Sequence, residues 1–169
     1  MKKITLLAIL AIAAFSNNAN AQSTASATAT ATIVKPIAIT KTLDMNFGHI
    51  ATNGTVGTVV LAPDNVRSLR GGVTLPATKG TVEAAKFTVT GEGAYTYALT
   101  LPADDTITIT NASAVGKDMK VSTFTSNSTK TLASGTATFS VGATLNLNAS
   151  QPAGVYTNSA GFNVIVNYN

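Results

Sequence analysis

Cysteine and tryptophan are absent from this 169-residue chain, histidine occurs once, and charged residues make up only 11%. Each shortage excludes something. Without cysteine there is no disulfide, no thiolate metal site, no thiol nucleophile and no lipidated cysteine. A single histidine cannot build a histidine cluster around a metal. So sparse a charge set suits neither a nucleic-acid binder nor a charged disordered tail. What is abundant is threonine, at 28 residues. Its branched Cβ fits a pleated strand while its hydroxyl faces water, so the composition already leans toward sheet.

The first 21 residues read as an export address. Met1-Lys2-Lys3 is a short basic start, Ile4 to Phe15 is apolar, and Ser16-Asn17-Asn18 turns polar. Ala19-Asn20-Ala21 is a small-x-small site, which predicts cleavage between Ala21 and Gln22. The apolar run is shorter than the ~20 residues that a membrane-spanning helix needs. No second long apolar run follows, so no transmembrane segment is expected. Losing Lys2 and Lys3 leaves nine basic residues against seven acidic ones, a net charge of +2. That is too weak to attract nucleic acid. The expected location is the periplasm, the cell surface or the extracellular space.

Residues 22–169 are long enough for one domain with its own hydrophobic core. Apolar residues alternate with Ser and Thr through much of it, which is the strand signature. Ala25, Ala27, Ala29, Ala31 and Ile33 share one parity, as do Phe87 and Val89. Tyr95, Tyr97, Leu99 and Leu101 form another set, and Ile107 and Ile109 a short one. Ala137 through Leu147 and Phe162 through Tyr168 complete the pattern. Asn53-Gly54 predicts a hairpin turn, and Gly71-Gly72, Gly91-Glu92-Gly93 and Pro152-Ala153-Gly154 predict further breaks. No stretch shows sustained helical periodicity. The expected fold is all-β: a single antiparallel β-sandwich of immunoglobulin-like or pilin-like type. An outer-membrane barrel would want aromatic girdles, and the whole chain holds six Phe and four Tyr.

Catalytic constellations are hard to find. His49 lies just after an apolar stretch with no nucleophile motif beside it, which predicts a surface residue at a strand end. Asp104-Asp105 follows Pro102 between two strands and reads as a solvated turn. Arg67 and Arg70 read as a solvated edge, where positive charge discourages unwanted sheet pairing. No metal or cofactor is expected, and neither is an enzymatic activity. Asp105-Thr106-Ile107 matches a short bacterial O-glycosylation pattern, which makes Thr106 a candidate acceptor.

Several ordered segments carry a family resemblance. They run from Ala29-Thr30-Ala31-Thr32-Ile33-Val34-Lys35-Pro36 through Leu43-Asp44-Met45-Asn46-Phe47-Gly48 and Gly71-Gly72-Val73-Thr74-Leu75. Phe87-Thr88-Val89-Thr90-Gly91, Val141-Gly142-Ala143-Thr144-Leu145, Gln151-Pro152-Ala153-Gly154-Val155-Tyr156 and Val164-Ile165-Val166-Asn167-Tyr168 follow. In order and spacing they resemble the bacterial "domain of unknown function 4402" family. More distantly the layout is similar to fimbrial subunits and spore-coat-U-type domains. That resemblance implies a secreted sandwich able to exchange strands between subunits.

The functional expectation is an exported, non-enzymatic structural or adhesive surface protein. Its expected partners are further copies of itself or related subunits, joined by strand addition, and a host or matrix surface. The candidate arm is 24–34, carried by Ala25, Ala27, Ala29, Ala31 and Ile33. The same segment can instead pair within its own sandwich, and its small alanine face tips the reading toward pairing in cis. The alternative function is a stand-alone carbohydrate- or protein-binding module. A coplanar pair of exposed tyrosines would mark the carbohydrate version.

Overall fold

A computed structural model describes residues 22–169 of the chain. The expected cleavage residues Ala19 and Ala21 lie outside that range, and Gln22 is its first residue. Val34–Asn169 forms one compact unit. Residues 22–33 are exposed, and no strand forms anywhere in 22–37. Ala25, Ala27, Ala29, Ala31 and Ile33 therefore lie outside the nine strands of the described residues.

Nine strands and no helix make up the described residues. In chain order they are β1 (Ala38–Leu43), β2 (Ala51–Leu61), β3 (Arg67–Thr74), β4 (Ala85–Thr90) and β5 (Tyr97–Thr100), then β6 (Ile107–Ile109), β7 (Met119–Ser126), β8 (Thr136–Leu147) and β9 (Ile165–Tyr168). Every pairing is antiparallel. One sheet holds seven strands, with β1-β4-β8-β2-β3 as its main path and β7 and β6 branching from β8. The second sheet holds β5 and β9. The chain is thus the all-β antiparallel sandwich expected of its alternation.

β8 is the spine. Its first half pairs with β4, from Thr136↔Thr90 to Val141↔Ala85. Its second half pairs with β2, from Ala143↔Leu61 to Leu147↔Gly57. β7 also pairs with β8, from Ser126↔Val141 to Lys120↔Asn146. Gly142 sits at the changeover, packed against the main chain of Leu61 and Ala62, where a Cβ has no room. Phe139, Val141, Ala143, Leu145 and Leu147 share one parity and are all buried. They feed two adjoining cores. One gathers Val59, Leu61, Val121 and Leu145 inside the curled large sheet. The other joins Phe87, Val89, Phe139 and Val141 of the large sheet to Tyr97, Val164 and Val166 of the small one. Phe87 stacks on Phe139 with ring centroids 5.6 Å apart. Each such side chain contributes roughly 1.5–3 kcal/mol by leaving water, which a cysteine-free domain depends on.

Two expected turns are something else. Asn53-Gly54 lies inside β2, and Gly71-Gly72 inside β3. The β2–β3 register jumps from Thr52↔Val73 to Gly57↔Gly71, so residues 53–56 bulge out opposite Gly72. Asn53 Oδ1 accepts from Thr55 N–H and Oγ1–H, which closes the bulge on itself. Gly72 has no space for a Cβ because Thr55 and Asn53 press against it, and Gly71 takes φ +73°. The residues that permit turns also permit bulges. The actual β2–β3 turn is 62–66, with Ala62 N–H donating to Val66 O and Asn65 at φ 68°.

Candidate functional site

The most distinctive constellation lies where the compact unit begins and where it ends. Gly91-Glu92-Gly93 makes the turn leading out of β4, as the sequence predicts. Gly91 N–H donates to Gly135 O at 2.9 Å, and Gly135 N–H donates to Gly93 O at 2.6 Å. This holds Glu92 beside the end of β9. Tyr168, one residue from the C-terminus, reaches into the same place. Its hydroxyl accepts from Glu92 N–H at 2.7 Å and donates to Lys35 O at 2.8 Å. Glu92 Oε2 accepts from Lys35 N–H at 3.1 Å. Both main-chain groups of Lys35 are therefore clamped, one by a carboxylate and one by a phenol. Lys35 also precedes Pro36, which biases it toward extended backbone. A shallow depression of about 660 Å³ lies beside this clamp, between Lys35, Gly91, Ser134 and Gly135. Its walls are mostly glycine and hydroxyl side chains.

β9 itself is an edge. Asn169 N–H donates to Thr96 O, so Asn167↔Ala98 and Ile165↔Thr100 are the pairs that exchange hydrogen bonds with β5. The N–H and C=O groups of Val166 and Tyr168 then point the other way. No described strand pairs with them. On β5 the same parity is used up: Tyr97 N–H donates to Lys130 O, and Tyr95 O accepts from Leu132 N–H. β1, at the rim of the large sheet, runs near β9 without any ladder between them.

The residues singled out from the sequence fall in separate places. His49 is exposed, with Nδ1 3.0 Å from Thr78 O and its ring resting on Gly80. It is a surface residue, as its position after an apolar stretch implies. Asp104-Asp105 forms a turn with Asp105 at φ 59°. Asp104 Oδ1 accepts from Thr123 N–H, which steadies a bulge in β7. Thr106 is exposed and its hydroxyl donates to Ala103 O at 2.7 Å. Arg70 is exposed on β3. Arg67 departs from the solvated-edge reading. It is half-buried, and Nη1 donates to Phe47 O at 2.6 Å and His49 O at 3.0 Å. It ties the 47–49 loop to β3, a role its local sequence does not disclose. Among the described residues no three His, Asp or Glu gather as metal ligands would.

The tyrosines offer no flat platform. Tyr97 is buried, with its hydroxyl 2.9 Å from Ser128 Oγ. Tyr156 donates to Pro152 O at 2.9 Å. Tyr95 is 47% exposed, but its ring meets Tyr168 edge-on, at 67° and 5.7 Å. A sugar ring stacks on coplanar aromatic faces, and this pair presents none.

Fold and rim together define an all-β, antiparallel sandwich in which the outer edge of β9 meets no described strand. The chain belongs to the family described as "Domain of unknown function (DUF4402)", whose model matches residues 37–168. The candidate arm lies just before the matched range. Comparison with curated proteins and with solved structures gives no match. The family description assigns no activity, and sandwiches host many functions, so function has to be argued from the rim itself.

Proposed function

We propose that this protein is an exported, non-enzymatic structural or adhesive subunit of a bacterial surface, and that it assembles by β-strand addition. The carrying observation is a pairing mismatch. An uncharged, alternating segment, 24–34, has no strand of its own, while the small sheet has only two strands. Main-chain hydrogen bonds along an open edge supply affinity without any deep pocket. The leader over 1–21 supports export. The non-enzymatic reading rests on the lone histidine, whose Nδ1 meets a backbone carbonyl instead of an acid.

The test is an unboiled denaturing gel of material sheared from native cells, run beside the boiled sample. The reading predicts a ladder that collapses to monomer on boiling and is absent from a strain lacking residues 22–34. A single monomer band in both lanes would favour a stand-alone secreted module. Intact mass of the same material tests the Thr106 proposal: a hexose-sized increment should disappear in Thr106→Ala.

A further inference from the structure

We propose that Asn53 is a site of spontaneous covalent modification: its side chain closes on Gly54 N to form a succinimide, and reopening to isoaspartate unlatches the bulge in β2. This chemistry is independent of strand addition. Three features of the bulge carry it.

The first is an activated carbonyl. Asn53 Oδ1 accepts from Thr55 N–H at 3.1 Å and from Thr55 Oγ1–H at 2.8 Å. Attack on Cγ places negative charge on this oxygen, and donors already aimed at it stabilise that charge. Both hydrogen bonds of the Asn53 side chain go to Oδ1. Among the described residues nothing holds Nδ2, the leaving group.

The second is an open nucleophile. Gly54 takes φ +90°, and a Cβ built on it would meet nothing within 4 Å. No side chain of its own shields its nitrogen. Gly54 N–H donates to Thr52 Oγ1 at 3.1 Å. Thr52 and Asn53 are exposed, so base in the solvent reaches the proton.

The third is an internal comparison. Asn111 Oδ1 accepts from Ser113 N–H, and Asn158 Oδ1 from Ala160 N–H, in the same kind of turn. Ala112 and Ser159 follow those asparagines, and each carries a Cβ that crowds the attacking nitrogen. Asn53 alone among the asparagines of this chain is followed by glycine.

In the first step Gly54 N loses its proton to hydroxide and bonds to Asn53 Cγ. The Cγ–Nδ2 bond breaks, and the departing nitrogen takes up a proton and leaves as ammonia. In the second step water adds to one ring carbonyl, and the bond from that carbon to Gly54 N breaks. Opening at Cγ gives aspartate. Opening at the main-chain carbonyl gives isoaspartate, whose main chain runs through Cβ and Cγ.

The two products differ in what they do to β2. Aspartate keeps an acceptor where Thr55 can donate to it. Isoaspartate adds a methylene to the main chain and removes that acceptor. The bulge has little slack to absorb it: Asn53 Oδ1 and Thr55 Oγ1 crowd Gly72, and Gly54 O accepts from Ser150 N–H at 2.9 Å. The pairs beyond the bulge, Ala51↔Thr74 and Thr52↔Val73, should therefore open. Val73 belongs to the core, so the opening reaches past the surface.

The exported protein, freshly purified, is incubated in mildly alkaline buffer beside a capped peptide of residues 50–57. Both are sampled over time and mapped by mass spectrometry, with isoaspartate identified by fragmentation. The expected result is conversion at Asn53 no slower than in the peptide, with Asn111 and Asn158 intact. Thr55→Val should slow it about two- to tenfold, the contribution of one hydrogen bond. Gly54→Ala should abolish it. Hydrogen exchange over 72–74 should be faster in the isoaspartyl fraction than in fresh protein, and unchanged in Asn53→Asp. Asn53 left intact while the peptide converts, or conversion of Asn111 and Asn158 at the same rate, would overturn the site. An unchanged rate in Thr55→Val would overturn the role of the turn. Exchange over 72–74 as slow in the isoaspartyl fraction as in fresh protein would overturn the unlatching.

Discussion

Replacing Gly142 with alanine probes the changeover at the centre of the spine. Val141 pairs with Ala85 of β4 on one side of this residue, and Ala143 pairs with Leu61 of β2 on the other. An added Cβ collides with Leu61 O and comes within 2.8–3.0 Å of the carbonyl carbons of Ala62 and Leu61. These are main-chain atoms of a paired strand, so no side-chain rotation relieves the contact. Overpacking of this kind costs about 1–3 kcal/mol, and backbone neighbours place it in the upper half. Lower entropy of the unfolded chain returns about 0.4–1 kcal/mol. The net loss is about 1–2.6 kcal/mol. A domain of this size has an unfolding entropy of about 0.3 kcal/mol per kelvin, so Tm should fall by about 3–9 °C. Thermal denaturation of the mature chain, followed by circular dichroism, measures it. A Tm within about 1.5 °C of the parent would refute the claim that β2 and β4 meet β8 at this residue.

Three further substitutions test the links that hold the rim and loops. Tyr168→Phe keeps the ring and removes the hydroxyl from Glu92 N–H and Lys35 O, at about 1–3 kcal/mol for the two bonds; an unchanged Tm would show that the clamp does not hold in solution. Arg67→Ala should speed hydrogen exchange over 46–50, and Arg67→Lys should restore it only in part, because the lysine ammonium ends one bond short of the Nη1 position that donates to both Phe47 O and His49 O; unaltered exchange in Arg67→Ala would count against the tether. Gln151 is buried, donating from Nε2 to Lys117 O and accepting from Asn148 N–H through Oε1; Gln151→Ala should lower the urea midpoint by the equivalent of about 1–3 kcal/mol, and no shift would contradict that network.

The parts of this fold written in side-chain parity were legible in the sequence. β4, β5, β6, β8 and β9 each show apolar residues at every second position, and burial follows that parity along β8. β2 and β3 were not legible, because Asn53-Gly54 and Gly71-Gly72 are residues that serve a turn or a bulge equally well. Only the pairing of the two strands decides between them, and that is set by residues elsewhere. The rim was half-visible. The alternating arm and the penultimate tyrosine stand out in the sequence. The clamp does not, since Tyr168 meets partners 76 and 133 positions away. Arg67 hid its role for the same reason: its acceptors are carbonyls, present at every residue and distinguishable only by position. His49 and Asp104-Asp105 matched their surface readings because local context alone determines a solvated turn or strand end.

Strand addition makes a direct demand: alternate amides within 24–34 must become hydrogen-bonded when subunits assemble. Hydrogen exchange of assembled material, compared with monomer released by boiling and refolded at low concentration, reads this directly. The account predicts fast exchange of 24–34 in the monomer and, in the assembly, protection by about a hundredfold or more at the alternate amides of 24–34 that face the acceptor edge. Assembled material in which 24–34 still exchanges as fast as free chain would contradict it.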